Sequence, residues 1–293
     1  MIWLLSVLLA LQSSAPAYVP QRTYDTARQT FSDFETMVAD LAKADVIFVG
    51  EQHDDPNTHR LEAAILGGLR RRGVKPVVSL EMFERDVQSL LDAYLAGNSS
   101  EEEFLKASRP WPRYATDYRP IVEMAKSERW TVVASNVPRR HASSAAKTGK
   151  SAFDALGPDD RASIARDVQC PLDAYFDRFS ITMGEHPVPG SEKVSAAEQR
   201  ATMERYYFSQ CVKDETMAEA IVAAANGRAA RPIVHFNGAF HSDFGQGTVQ
   251  RVRRRLEGRR IVLVTILPVN DIDRAAPNAE DLRRADYLVY TVK

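Results

Sequence analysis

The sequence predicts an α/β fold, with a largely parallel central sheet flanked by helices and a helical insertion over one end. Two observations lead to this prediction. Short apolar runs alternate with stretches of helical periodicity in both halves of the chain, which is typical of a parallel sheet covered by helices on both faces. Between the halves, about residues 139–228 carry helical patterning and no convincing strand, so we interpret this segment as the insertion.

The first half of the chain opens with a helix and then contains three predicted strands. Ser32 and Glu35 have the spacing of a capping box, which predicts a helix that runs to about Ala44. The strands are the apolar runs at residues 45–50, 76–81 and 130–135. Pro56 begins the helix after the first strand and Gly73 ends it, because proline favours the first turn of a helix and glycine the position after its end.

The second half continues the same alternation. Residues 232–237 and 260–266 are apolar runs, and a helix over about 248–256 separates them. Within the insertion, helical patterning is clearest at residues 195–225. We therefore expect one α/β domain over residues 18–293.

Composition and charge exclude some classes of function. The 293 residues are 44% hydrophobic and 26% charged, with a formal net charge of -1, which describes a globular protein. The short basic runs 70–72 and 251–255 lie late in predicted helices, where cations are favoured, so we interpret them as solvated helix ends. No nucleic-acid partner is expected, since no sustained cationic face could neutralise phosphates.

The N-terminal residues 1–17 are typical of a secretory signal peptide. An apolar run at residues 2–11 precedes Ala15-Pro-Ala17, a small-residue pattern that predicts cleavage after Ala17. The run is too short for a membrane anchor, so we expect no transmembrane anchor in the mature chain. The alternative is a buried N-terminal helix, because no Lys or Arg precedes the run. Cleavage would make the protein exported, in the periplasm or associated with the cell envelope.

Two cysteines, Cys170 and Cys211, form an even pair in a chain with a predicted export signal. One disulfide between them is expected in an oxidising compartment, and two separate buried thiols are the alternative. Their spacing matches no zinc-ligand pattern.

Polar residues gather where the predicted strands end, which is where open α/β sheets bind ligands. Two Gly-x-x-His motifs, Gly50–His53 and Gly238–His241, each follow a predicted strand directly. Glu51 lies inside the first motif and Glu81 ends the second strand. Glycine allows a sharp turn or a close backbone approach, so the motifs predict one shared centre at this edge of the sheet.

The chemistry of that centre stays open between two roles. Imidazole can bind zinc, iron or other transition metals, and it can act as a general base. His53, His241 and Glu51 therefore form a candidate metal set for a divalent ion such as Zn or Mn, and with Glu81 a candidate catalytic set for a metal-dependent hydrolase.

Structural roles are the alternatives for these residues. The two motif histidines could be turn residues, Glu51 an exposed turn residue, and Glu81 the partner of Arg139 in a salt bridge. His59 is interpreted as structural or exposed, and His235 as a core histidine. The signatures of serine hydrolases, phosphate-binding loops and zincins are missing from the sequence.

Several motifs, in order, resemble the ChaN-like haem-binding uptake branch of the Tiki superfamily, from about residue 30 to 270. The motifs that carry the resemblance are residues 46–53, 79–83 with Gln88 and 91–95, Trp111 with 118–120, 136–139, 213–218, and 238–241 with 243–245.

The resemblance implies an exported haem- or iron-binding protein with haem as cofactor, and kinship with Tiki-type proteases and erythromycin-esterase-like proteins. It implies that His53, His241, Glu51 and Glu81 mark the metal or catalytic centre. Haem or a small substrate is the expected partner, and a homodimer is left open.

Haem needs an apolar pocket and an axial ligand. We take Tyr118, Asn136 and Arg139 as candidates for cofactor binding, while Tyr114, Tyr206 and Tyr207 are further tyrosines available as ligands. The chain departs from the family at Phe244, where tyrosine is frequent, and it has no lipobox cysteine after the apolar run.

Overall fold

The centre of the molecule is an eight-stranded sheet in the order β2-β1-β8-β7-β3-β6-β4-β5. In this computed structural model residues 19–185, 195–227 and 232–293 are described, so the predicted signal peptide lies outside the described residues. The strands are β1 (Gln21–Asp25), β2 (Thr30–Ser32), β3 (Val46–Glu51), β4 (Val77–Glu84), β5 (Val132–Asn136), β6 (Ile233–Gly238), β7 (Ile261–Val269) and β8 (Tyr287–Val292).

Six strands of the sheet run parallel, which confirms the predicted fold class. β3 pairs in parallel with β6 on one side and with β7 on the other, β4 pairs with β5 and β6, and β8 pairs with β7. Only the N-terminal strands differ, because β1 is antiparallel to β8 and β2 is antiparallel to β1. The strands β3 to β7 coincide with the predicted apolar runs, whereas β1, β2 and β8 were not predicted.

Helices cover both faces of the sheet. They are α1 (Phe34–Leu41), α2 (Pro56–Arg71), α3 (Gln88–Leu95), α4 (Glu101–Ser108), α5 (Tyr114–Asp117), α6 (Arg119–Ser127), α7 (Arg139–Thr148), α8 (Pro158–Ala162), α9 (Ala174–Glu185), α10 (Ala196–Ala225) and α11 (Gly247–Arg255). The cap of α1 differs from the prediction, since the side chain of Asp33, not Ser32, accepts the backbone N–H of Thr36.

The alternation of side chains along β3 explains the two hydrophobic cores. Ile47 and Val49 point into one core, which α1, α2 and α6 close, whereas Val46 and Phe48 point into the other, which α10 and α11 close. A central parallel strand must be apolar on both faces, and this is why β3 reads as an unbroken apolar run in the sequence.

The predicted insertion is helical in the parts that the structure describes. Residues 139–185 and 195–227 contain the helices α7 to α10 and no strand. A disulfide between Cys170 and Cys211 ties the segment before α9 to the middle of α10, which confirms the predicted pairing. None of the described helices is long and apolar enough to cross a membrane.

Candidate functional site

The two Gly-x-x-His motifs lie side by side at the carboxyl edge of the sheet. Glu51 at the end of β3 is in register with Gly238 at the end of β6. A Cβ atom on Gly238 would come within 2.6 Å of Nε2 of His53, and one on Gly50 would come within 3.0 Å of the backbone of Ala239. A side chain on Gly238 would displace the ring of His53, and one on Gly50 would require the backbone of Ala239 to shift, so both positions favour glycine.

Glu51 is buried and fixes the orientation of His53. Its Oε1 accepts hydrogen bonds from Nδ1 of His53 at 2.5 Å and from the hydroxyl of Tyr118 at 2.9 Å. Because Nδ1 of His53 donates to a carboxylate, the neutral ring carries its lone pair on Nε2. Glu51 is thus not an exposed turn residue.

His53 is the more accessible of the two motif histidines, with 47% of its side chain exposed. Burial lowers its pKa, but the hydrogen bond to Glu51 and the charge of Glu81 outweigh this effect, so the pKa lies above the usual value. Its ring meets Trp111 edge to face, with the ring centroids 5.0 Å apart.

Glu81 is buried between the two motifs. Its Oε2 accepts the backbone N–H of Gly238 at 2.8 Å, and its Oε1 lies 3.3 Å from Nε2 of His241. Burial raises the pKa of this carboxyl, but the charge and hydrogen bond of His241 hold it well below its usual range. The partner of Glu81 is therefore His241 and not Arg139.

His241 is held from both sides by carboxylates. Its Nδ1 lies 2.7 Å from Oδ1 of Asp214, a buried residue of α10, while Nε2 faces Glu81. Thr248 and Tyr175 also donate hydrogen bonds to Asp214, which fixes that carboxylate. Burial opposes the charged ring, but Glu81 and Asp214 raise the pKa of His241 to about 9.

Asp214 is a site residue that the sequence analysis did not identify. It lies within the family-like motif 213–218, which was the available signal, but nothing in its helix shows that it contacts His241.

A second cluster lies behind Glu51, formed by Glu51, His59 and Glu62. One donor atom from each of these three buried residues lies within 4.8 Å of the others, so they form a group that could hold a metal ion. The predicted metal set of His53, His241 and Glu51 forms no such group among the described residues. His59 is buried rather than exposed, and the three-residue spacing that places Glu62 beside it on α2 was the missed signal.

The candidate cofactor residues take separate positions. Tyr118 is buried with its hydroxyl on Glu51, as described above. Asn136 is buried at the end of β5, where its side chain accepts its neighbour's backbone N–H, and the backbone N–H of Arg139 donates to Glu84. Neither Asn136 nor Arg139 lines the cavity beside His53. His235 is fully buried, forms a hydrogen bond with Ser79 and has a pKa lowered by burial to about 3, as expected of a core histidine.

A cavity of about 930 Å³ opens beside the motifs, between the sheet edge and α9. His53, His241 and Glu51 line it. Its other lining residues combine apolar, cationic and acidic side chains, and they include Phe179, Ile181, Met183, Phe240, Phe244, Arg178, Arg284, Asp177, Asp243 and Glu280. This size lies within the range of protein pockets for small molecules.

Comparison with known proteins finds relatives of this chain. A family model described as "Haem-binding uptake, Tiki superfamily, ChaN" matches residues 37–252. Comparison with the curated proteins gives no significant match.

Two of the matching solved structures, described first, share the fold at low sequence identity. ChaN of Campylobacter jejuni, described with cofacial haem binding, superposes with a TM-score of 0.66 at 18% identity over 93% of this chain and 97% of that one. A succinoglycan biosynthesis protein gives a TM-score of 0.52 at 10% identity over 89% and 92% of the two chains. A mutant of the erythromycin esterase EreC gives a TM-score of 0.44 at 14% identity, over 93% and 83%.

Proposed function

This chain belongs to the haem-binding uptake family of the Tiki superfamily, and from that premise we propose that it binds haem in the cavity beside His53. The observation that carries the proposal is the state of His53. Its Nδ1 donates to Glu51, and among the described residues no hydrogen bond engages its Nε2. A carboxylate on one ring nitrogen leaves the other as a more basic and well-oriented iron ligand.

The walls of the cavity suit a flat, largely apolar ring with anionic edges. Phe179, Phe240 and Met183 supply apolar contact surface. Arg178 lies over the ring of Phe240, with its guanidinium carbon 4.1 Å from the ring centroid, and donates to the backbone carbonyl of Phe240. Burial lowers the pKa of Arg178, and a carboxylate such as a haem propionate would compensate its partial desolvation.

The candidate tyrosines are less suited to bind the iron. The hydroxyl of Tyr118 is committed to Glu51, and that of Tyr207 donates to the backbone carbonyl of Pro171. Burial raises the pKa of both phenols, which disfavours the phenolate that a tyrosine ligand supplies. Tyr206 is half-buried, so its replacement by phenylalanine tests whether a tyrosine binds the iron.

Titration of the purified protein with hemin tests the proposal. We expect a shifted Soret band that His53→Gln abolishes and that Tyr206→Phe retains. A wild-type protein that leaves the hemin spectrum unchanged would contradict haem binding. Loss of the band only in Tyr206→Phe would contradict the ligand assignment. Sedimentation of the same samples tests whether the protein forms a homodimer when haem is bound.

Export is a separate part of the proposal. The apolar run and the Ala15-Pro-Ala17 pattern support cleavage after Ala17, and a disulfide-bonded pair at Cys170 and Cys211 fits an oxidising compartment. The expected result is a mature chain that begins at Tyr18 in the periplasmic or envelope fraction, and N-terminal sequencing of the fractionated protein measures it. A full-length chain confined to the cytoplasm would contradict it.

A hydrolase is the second candidate function, because haem binding alone does not require Asp214, His241 and Glu81 in contact. An imidazolium between two carboxylates can donate a proton to a leaving group. A divalent ion such as Zn or Mn at this edge would supply an activated water. Assays on ester and peptide substrates with added Zn²⁺ or Mn²⁺ test this function, and turnover that His241→Gln leaves unchanged would refute it.

A further inference from the structure

The cluster of Glu51, His59 and Glu62 contains more hydrogen-bond acceptor atoms than donors to satisfy them. All three side chains are essentially inaccessible to solvent. Nδ1 of His59 lies 2.9 Å from Oε2 of Glu62 and 3.7 Å from Oε2 of Glu51. Oε2 of Glu51 and Oε1 of Glu62 are buried and have no hydrogen-bond partner among the described residues. Buried carboxylate oxygens without partners are costly. Burial and the charge of Glu51 raise the pKa of Glu62 well above its usual value, so this space calls for either a proton on Glu62 or a bound cation.

The other ring nitrogen of His59 determines which atom can act as a ligand. Nε2 lies 3.2 Å from the backbone carbonyl oxygen of His53, which can only accept a hydrogen bond, and 3.4 Å from Asp117. Nε2 therefore carries the ring proton, and a neutral His59 directs the lone pair of Nδ1 at the two glutamates. A histidine ligand whose second nitrogen donates to a carbonyl is the usual arrangement around protein-bound metals.

We propose that Glu51, His59 and Glu62 bind one divalent first-row transition cation, such as Mn²⁺ or Zn²⁺. One imidazole and two carboxylates match the donors that these ions take, whereas Mg²⁺ and Ca²⁺ prefer oxygen donors throughout. A charge of +2 also balances the two buried carboxylates.

A second cavity, of about 640 Å³, lies beside this site, and of the three proposed ligands His59 alone lines it. It lies between α2 and α6, and His59, Thr116, Pro120 and Met124 line it. The site is therefore distinct from the haem cavity on the other side of Glu51. The two share one carboxylate, whose Oε1 orients His53 and whose Oε2 faces His59.

Metal content measured on the mature protein tests the proposal. Chelator-treated protein is incubated with micromolar Mn²⁺ or Zn²⁺, desalted and analysed for metal per chain. We expect about one ion per chain in the wild type, and a loss of affinity of about 100-fold or more in Glu62→Gln and His59→Gln. The matched controls Glu123→Gln on α6 and His141→Gln on α7 should keep the ion. Wild-type protein without bound metal, or Glu62→Gln that retains it, overturns the proposal.

A spectroscopic measurement on the wild type needs no variant and remains decisive if the substitutions prevent folding. Pulsed electron paramagnetic resonance of the Mn²⁺-loaded protein should show coupling to an imidazole nitrogen, and the absence of that coupling overturns the assignment of His59. His53→Gln should lose haem but keep the ion, so failure of this proposal and failure of haem binding give different results.

Discussion

Replacement of His241 by glutamine tests the electrostatics of the site through the pH dependence of stability. The ring is buried between Asp214 and Glu81, which raise its pKa from 6.5 to about 9. A shift of this size corresponds to about 3 kcal/mol of additional interaction with the charged ring, at about 1.4 kcal/mol per pKa unit. Because the folded pKa is the higher one, this stabilisation is fully present below the unfolded pKa of 6.5 and is lost as the pH rises through about 9.

The window is favourable because the two carboxylates do not titrate in it. Asp214 and Glu81 both have pKa values lowered by His241, despite burial, so both are ionised at every pH at which the ring is charged. The difference in unfolding free energy between the wild type and His241→Gln should therefore shrink by about 3 kcal/mol from about pH 6 to about pH 10.

Chemical denaturation under non-reducing conditions, with chelator present, measures this difference at each pH. The imidazole resonances of the folded wild type give the midpoint of His241 directly, and Asp214→Asn should move that midpoint downward. A midpoint at or below 6.5, or a difference in stability that does not change with pH, would refute the stabilisation of a charged His241 by Asp214 and Glu81.

Three further substitutions have expected outcomes. Gly238→Ala should displace His53, because the new Cβ would lie 2.6 Å from its Nε2, and we expect about 1–3 kcal/mol of destabilisation in denaturant titrations together with weakened hemin binding. Cys211→Ser should cost about 4 kcal/mol of unfolding free energy by the chain-entropy estimate for a sequence separation of 41, and a variant as stable as the non-reduced wild type would contradict the disulfide. Ser195→Ala should lower the unfolding free energy by about 1 kcal/mol and so lower the melting temperature, because Ser195 and Glu198 form a capping box at the start of α10. An unchanged melting temperature would show that this end of α10 does not contribute to stability.

The sequence predicted the centre of the sheet well and its edge poorly, for a physical reason. β3 and β6 are buried on both faces, so they must be continuous apolar runs. β1 instead consists of the largely polar sequence Gln-Arg-Thr-Tyr-Asp, and its strand conformation depends on antiparallel pairing with β8. The run Tyr287–Val292 did contain a strand signal, which the sequence analysis overlooked.

The candidate site also contains residues that the sequence predicted and residues that it did not. The rule that ligands bind beyond the carboxyl ends of parallel strands was enough to place Glu51, His53 and Glu81 near His241. It could not identify Asp214, because that residue lies in the middle of α10 and reaches His241 only through the packing of that helix. Local sequence shows which residues can do chemistry, whereas the partners that set their pKa values come from tertiary contacts.

The two motif histidines, alike in sequence, are set up for different chemistry by the number of carboxylates that hold each ring. His241 has one on each nitrogen, which keeps it protonated and leaves no lone pair for a metal. His53 has Glu51 on Nδ1 alone and opens toward the cavity, so its Nε2 can act as a ligand. The pKa of His53 is also raised, so His53 donates an electron pair only when its ring is neutral, whereas His241 keeps its proton up to a pKa of about 9. Any reaction at this edge of the sheet would therefore place the electron-pair donor at His53 and the proton donor at His241.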